Sequence, residues 1–154
     1  MIGEQERREI EAIVRGFPTK RSACLEALQL TQDRYGWVSD EDIHALAALL
    51  DMTADELDGV ATFYNQIFRK KVGRHVILVC DSISCWIMGY ENILAHLKSR
   101  LDIGLGETSS DGRFTLLPSV CLGACEQAPA MVVDGTLYGG LTPQRVDEIL
   151  ERHT

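Results

Sequence analysis

Four cysteines fall in two close pairs. Cys80 and Cys85 enclose Asp81-Ser82-Ile83-Ser84, Cys121 and Cys125 enclose Leu122-Gly123-Ala124, and 35 residues lie between the pairs. Short-spaced pairs divided by a longer stretch are how a chain brings four thiolates to one metal centre. A dithiol exchange site is disfavoured, because neither pair has the two-residue spacing of such sites. Structural zinc accepts ligands two to four residues apart. A [2Fe–2S] cluster needs four cysteines, two per iron, so each close pair would chelate one iron. Plant-type ferredoxins crowd three cysteines into one loop, which this chain does not do, and a Rieske centre would need histidines that neither loop contains. Spacing alone leaves cluster and zinc both open. The histidines His44, His75, His96 and His153 are scattered and read as surface or packing residues. The fifth cysteine, Cys24, sits in the helical, apolar run Ala23-Cys24-Leu25-Glu26-Ala27-Leu28 and reads as a small buried hydrophobe.

Such pairs act together only if the chain folds them onto one edge. The first seventy residues read as helical: Ile10, Ile13 and Val14 give one face to a helix over 4–15, and a second runs over 20–35 with Gly36 placed to end it. Ser39 before Asp40-Glu41-Asp42 is an N-cap with an acidic first turn, and Ile43, Leu46, Leu49 and Leu50 form the stripe behind it. Thr53-Ala54-Asp55-Glu56 is a capping box for a fourth short helix. From Gly73 the pattern changes. His75-Val76-Ile77-Leu78-Val79 reads as a strand covered on both faces, followed by a helix over 88–101. Phe114-Thr115-Leu116-Leu117 is a second strand. Asp134-Gly135, between Ala130-Met131-Val132-Val133 and Thr136-Leu137-Tyr138, is a type I′ hairpin signal, and Thr142 with Pro143 opens a last helix.

The expected architecture is therefore α+β or α/β: an N-terminal helical bundle over 1–72, then a small mixed sheet over 73–154 in the order β-α-β-β-β-α, of thioredoxin-like type. The first two strands, if parallel neighbours, put both cysteine loops on the same edge of the sheet. Ala128-Pro129 precedes the third strand, where this fold commonly carries a cis peptide, so a cis bond is expected there.

Composition narrows the class. With 154 residues, 15 basic and 23 acidic side chains, the formal charge is −8. That argues against nucleic acid or an anionic membrane as main partner. No apolar run approaches the roughly 20 residues of a membrane span, so no membrane insertion is expected. The first ten residues lack the apolar core of a signal peptide, and a cytoplasmic location is expected. Gly104-Leu105-Gly106-Glu107 lacks the strand and third glycine of a dinucleotide fingerprint and reads as a loop. There is no phosphate-binding loop and no nucleophile–base pair.

Gly59-Val60-Ala61-Thr62-Phe63-Tyr64, the Cys80/Cys85 loop, and Asp111-Gly112-Arg113-Phe114-Thr115-Leu116 leading to Cys121-Leu122-Gly123-Ala124-Cys125 resemble the E subunits of bacterial NADH–quinone oxidoreductase. These are the thioredoxin-like [2Fe–2S] subunits of respiratory complex I, and the resemblance covers nearly the whole chain. It implies one [2Fe–2S] cluster, with Cys80 and Cys85 on one iron and Cys121 and Cys125 on the other. It implies single-electron exchange with flavin mononucleotide (FMN), which with NADH is bound by the partner flavoprotein, the F subunit, and not by this chain. The chain would then sit in the peripheral arm of the complex, on the cytoplasmic face, with no catalysis of its own. The related diaphorase subunits of NAD-linked hydrogenases and formate dehydrogenases remain an alternative, and a zinc-stabilised adaptor is the alternative of a different class.

The cluster reading carries electrostatic expectations. Its thiolate-ligated centre is doubly negative when oxidised and triply negative when reduced, so backbone N–H groups in both loops should donate to sulfur. Gly123 serves either close backbone approach or simple turn geometry, and a helix N-terminus after Cys85 would add a favourable dipole. Asp81 and Glu126, beside the ligands, would lower the reduction potential. Val60-Ala61-Thr62-Phe63-Tyr64 and Ile67-Phe68 supply either a docking surface or packing.

Overall fold

Each helix signal in the first 71 residues is met in the computed structural model, which describes residues 2–153. Helices α1 (Glu4–Val14), α2 (Cys24–Tyr35), α3 (Asp40–Leu49) and α4 (Ala54–Phe63) form within a compact unit, Met1–Lys71. Both capping boxes close. Ser39 Oγ accepts from the Asp42 N–H while the Asp42 carboxylate accepts from the Ser39 N–H, and Thr53 and Glu56 do the same for α4. Gly36, at φ 80°, ends α2 in the left-handed region that favours glycine.

The helix expected over 20–35 begins differently. Residues Lys20–Ala23 form a 3₁₀ turn, because the Thr19 hydroxyl takes the Ser22 N–H and favours i→i+3 closure before the α-helix proper. The stripes converge on Ile10, Leu28, Leu46, Leu50 and Leu57, all fully buried. Each such burial is worth about 1.5–3 kcal/mol. Cys24 is half-buried and packs against this core.

The second unit, Val72–Thr154, holds the sheet. Its elements are β1 (His75–Cys80), α5 (Ile83–Ile87), α6 (Tyr90–Leu101), β2 (Glu107–Thr108), β3 (Phe114–Ser119), β4 (Met131–Val133), β5 (Thr136–Tyr138) and α7 (Pro143–Arg152). The strand order is β2-β3-β1-β4-β5, with β1 and β3 parallel and every other pairing antiparallel. Ile77, Val79, Leu116 and Met131 form one core with Ile93 and Leu97 of α6 and Val146 and Ile149 of α7. Strand side chains alternate, so Leu78 faces the other way, and it too is buried.

Two elements depart from the sequence reading. The helix expected over 88–101 forms as α6, but a separate short helix, α5, precedes it, divided from it by Gly89, whose φ of 102° a helix interior does not allow. A two-residue edge strand, β2, pairs with β3, too short to leave a periodic signal. The observed order is thus β-α-α-β-β-β-β-α. The hairpin turn has Asp134 at φ 48° and Gly135 at φ 80°, both positive as type I′ requires, and the Ala128–Pro129 peptide is cis.

Candidate metal centre

The parallel pairing of β1 with β3 decides where the cysteines go. Its last register pair is Cys80 opposite Ser119, so Cys80 ends one strand and Cys121 follows two residues past the end of its neighbour. The Asp81 N–H donates to the Ser119 carbonyl at 3.0 Å, holding the two loops side by side. On the other side, the Cys80 N–H donates to the Ala130 carbonyl at 3.1 Å, which brings in the segment leading to β4. Cys85 lies within the short helix α5, which carries it inward, and the helix N-terminus expected after it is that of α6 at Tyr90. Cys80, Cys85, Ala124 and Ala130 form one small buried cluster, with Tyr90, Leu122 and Ala128 against it.

The two pairs differ in their exposure. Cys80 and Cys85 are buried, whereas Cys121 and Cys125 are exposed. Burial, followed by the hydrogen bond with Cys80, pushes the Cys85 thiol up to about 11, and the neighbouring Cys80 and Cys125 sulfurs push the same way. The Ala130 N–H donates to Cys85 and opposes this in part. Cys121 moves down from its ordinary value, chiefly because the Gly123 N–H donates to its sulfur at 3.4 Å, and next because of Cys125. A backbone N–H thus reaches each pair, from within the loop at Cys121 but from Ala130, outside either cysteine loop, at Cys85. Gly123 has a φ of 77°, and that turn aims its N–H at the Cys121 sulfur.

The sulfurs of Cys121 and Cys125 lie 3.5 Å apart. Two thiolates about 2.3 Å from one tetrahedral ion stand about 3.8 Å apart, so this pair fits one metal with a small adjustment. Among the described residues, no three or more His, Cys, Asp or Glu side chains converge as they stand on a single ion. The arrangement is pairwise. Asp81 and Glu126 are both exposed. The histidines are engaged away from the cysteines: His75 with Asp134 at 2.6 Å, His96 with Asp147 at 3.0 Å, and His44 and His153 with the carbonyls of Asp40 and Ile149.

Tyr90 and Ala130 were missed by sequence reasoning. Tyr90 opens α6 beside the sulfurs, and burial, followed by the charges of Asp81 and Cys80, raises its hydroxyl above its ordinary value, so it stays neutral. A tyrosine directly after a glycine at a helix start was the available signal. Ala130 acts through its backbone and leaves none. The apolar stretch of α4 divides: Ala61 and Ile67 are buried in the helical core, while Phe63 is 80% exposed.

The profile of the thioredoxin-like [2Fe–2S] ferredoxin family matches residues 10–154. The E subunit of NADH-quinone oxidoreductase from Pseudomonas aeruginosa is 45% identical over 99% of this chain and 92% of its own length. That of Escherichia coli K12 is 49% identical over the same shares. Among solved structures, an air-oxidised NAD+-reducing [NiFe]-hydrogenase superposes on 84% of this chain and 22% of its own, with a TM-score of 0.72 and 23% identity. That likeness is one of fold. No helix among the described residues is long and apolar enough to cross a membrane.

Proposed function

Because the chain belongs to the thioredoxin-like [2Fe–2S] ferredoxin family, we propose that Cys80, Cys85, Cys121 and Cys125 hold one [2Fe–2S] cluster and that the chain serves as an electron-transfer component of an NADH-quinone oxidoreductase. Cys80 and Cys85 take one iron, and Cys121 and Cys125 take the other. The observation that carries this reading is the pairing itself: two cysteine pairs on adjacent parallel strand ends, one pair already 3.5 Å apart.

When bound, the cluster supplies one-electron chemistry. The chain supplies position and electrostatics. Burial of Cys80 and Cys85 keeps water from one side of the site, while exposure of Cys121 and Cys125 leaves the other side open to a redox partner. The N–H groups of Gly123 and Ala130 donate to sulfur and stabilise the added negative charge. FMN and NADH are assigned to a partner flavoprotein, the F subunit, with which the cluster exchanges electrons. The assembly is then the peripheral arm of complex I, on the cytoplasmic face of its membrane. The helical unit and the sheet unit are read as the two domains of the chain. The fold likeness to an NAD+-reducing hydrogenase supports, as a second reading, the equivalent diaphorase component. The identities of 45% and 49% to E subunits favour the first.

Anaerobic purification, visible absorption and electron paramagnetic resonance test the proposal. The expected protein is brown, holds two irons and two acid-labile sulfides, and gives a spin-half signal only after dithionite reduction. Serine at any of the four cysteines should abolish or severely weaken that signature. A colourless chain with one zinc, unchanged after reconstitution with iron and sulfide, would overturn it.

A further inference from the structure

Cys125 is exposed, so little but its own backbone sets where its sulfur stands. It opens a 3₁₀ turn, Cys125–Gln127, in which the Gln127 N–H donates to the Ala124 carbonyl at 2.9 Å and the Ala128 N–H to the Cys125 carbonyl at 3.3 Å. Past the turn the chain reaches Pro129 and Ala130, both buried. Ala130 serves the other pair: its N–H donates to Cys85, and its carbonyl accepts from the Cys80 N–H. Residues 125–130 thus join one cysteine pair to the other.

The far side of this segment rests on the connection between β5 and α7. The Gly140 N–H donates to the Gln127 carbonyl, and the Leu141 N–H donates to the Pro129 carbonyl at 3.1 Å. Leu141 is itself buried in the sheet core, which fixes the connection. Gly139, also buried, is where the two segments come closest. An added Cβ would stand 2.4 Å from the Gln127 Cβ and 2.9 Å from the Gln127 carbonyl oxygen, whereas ordinary contact begins at 3.4 Å. The Gln127 Cβ is attached to the backbone, so no side-chain rotation moves it away. Gly139 lies outside the left-handed region, and its need for glycine is one of space alone.

We infer that Gly139 is a positioning residue for the metal centre: its bare Cα lets the β5–α7 connection press against Gln127 and so fixes the turn that presents Cys125. The inference rests on the cluster reading above and adds a residue outside both cysteine loops. Alanine there requires the segments to part by about 1 Å, the difference between 2.4 and 3.4 Å. The buried Leu141 resists on one side and the exposed Gln127 yields on the other, so the displacement passes along the hydrogen-bonded turn to Cys125. Metal–ligand distances hold to within about 0.2 Å. The iron shared by Cys121 and Cys125 therefore loses its fit while the sheet stays folded.

The test uses the full-length, cluster-loaded chain, followed by visible absorption under a chelator, electron paramagnetic resonance after reduction, and redox titration. Gly139→Ala should lose its colour about 10–100-fold faster than the wild type, as loss of an outer support does at metal sites. The cluster that remains should give an altered reduced-state signal and a shifted midpoint potential. Val146→Ala removes buried volume from α7 in the same core and controls for stability: it should melt earlier but keep the wild-type signal and potential. Gln127→Gly removes the Cβ that the alanine meets. The double variant Gln127→Gly with Gly139→Ala should therefore lie close to Gln127→Gly alone in colour lifetime, signal and potential. If Gly139→Ala does not fold, adding Gln127→Gly should restore its folding.

Wild-type colour lifetime, signal and potential in Gly139→Ala would overturn the inference. So would the same spectroscopic change in Val146→Ala, which would mark general loosening of the unit. A loss of equal size with and without Gln127→Gly, or a double variant that does not fold, would also overturn it. A colourless wild-type chain would remove the cluster reading and the inference together, whereas a brown wild type with any of these outcomes removes the inference alone.

Discussion

Gly123 and Glu126 sit three residues apart and should move the cluster in opposite directions. The Gly123 N–H reaches the Cys121 sulfur only because its φ of 77° turns it there. Alanine in that conformation costs roughly 1–2 kcal/mol, and relaxation of the strain would turn the donor away. Gly123→Ala should therefore lower the midpoint potential, since the reduced state loses a hydrogen bond, and should speed loss of visible absorption in air. Glu126→Gln should do the reverse and raise the potential, because a negative charge near the site opposes the incoming electron. Glu126 is exposed and acts through water, where a charge pair is worth about 1 kcal/mol or less, so the rise should be a few tens of millivolts at most. A redox titration followed by electron paramagnetic resonance measures both. An unchanged or lower potential in Glu126→Gln would count against the electrostatic reading.

Among the elements, α4 offers a test that does not involve the cysteines. The Thr53 backbone N–H, followed by the Arg21 guanidinium 2.7 Å away, holds the Glu56 carboxyl down to about 2, from an ordinary 4.5. A carboxylate depressed in the folded state stabilises fully above its unfolded value and loses that contribution as pH falls through the folded one. Glutamine keeps the capping geometry and removes the charge. The wild type should therefore be more stable than Glu56→Gln near neutral pH by a constant margin. That margin should shrink between about pH 4.5 and 2, as urea unfolding at a series of pH values would show. This element was fully legible in sequence, because a cap is a local pattern of four residues. So were β1, the Asp134-Gly135 hairpin and the Thr142-Pro143 helix start. The short helix α5 and the strand β2 were not: α5 is five residues long with one buried side chain, too little for a periodic stripe, and β2 exists only through its pairing with β3. Likewise the spacing of the cysteines was plain, but the unequal burial of the two pairs depends on α5 turning Cys85 inward and on Cys121 lying two residues past the end of β3.

For the molecule as a whole, two separate hydrophobic cores set how it should come apart. The core around Leu28, Leu46 and Leu57 draws only on residues of the first unit, and that around Ile77, Leu116 and Met131 only on the second. A core that shares no side chain with its neighbour can be weakened alone, and two-state unfolding is not the rule for a chain of two such units. Leu46→Ala and Ile77→Ala each remove a fully buried side chain, and each should cost about 2–5 kcal/mol where it acts. The cysteines belong to the second unit, with Cys80 at the end of the strand that contains Ile77. Calorimetry of the cluster-loaded chain should thus show Leu46→Ala lowering one transition while the visible absorption is lost at the wild-type temperature. Ile77→Ala should lower the transition at which the colour disappears. Equal loss of colour in both variants would mean that the helical unit is needed to keep the cluster, and Val60–Phe68 would then be read as packing rather than as docking surface. If Leu46→Ala leaves the colour intact yet weakens capture by the flavoprotein, the helical unit contributes its own contacts to the assembly.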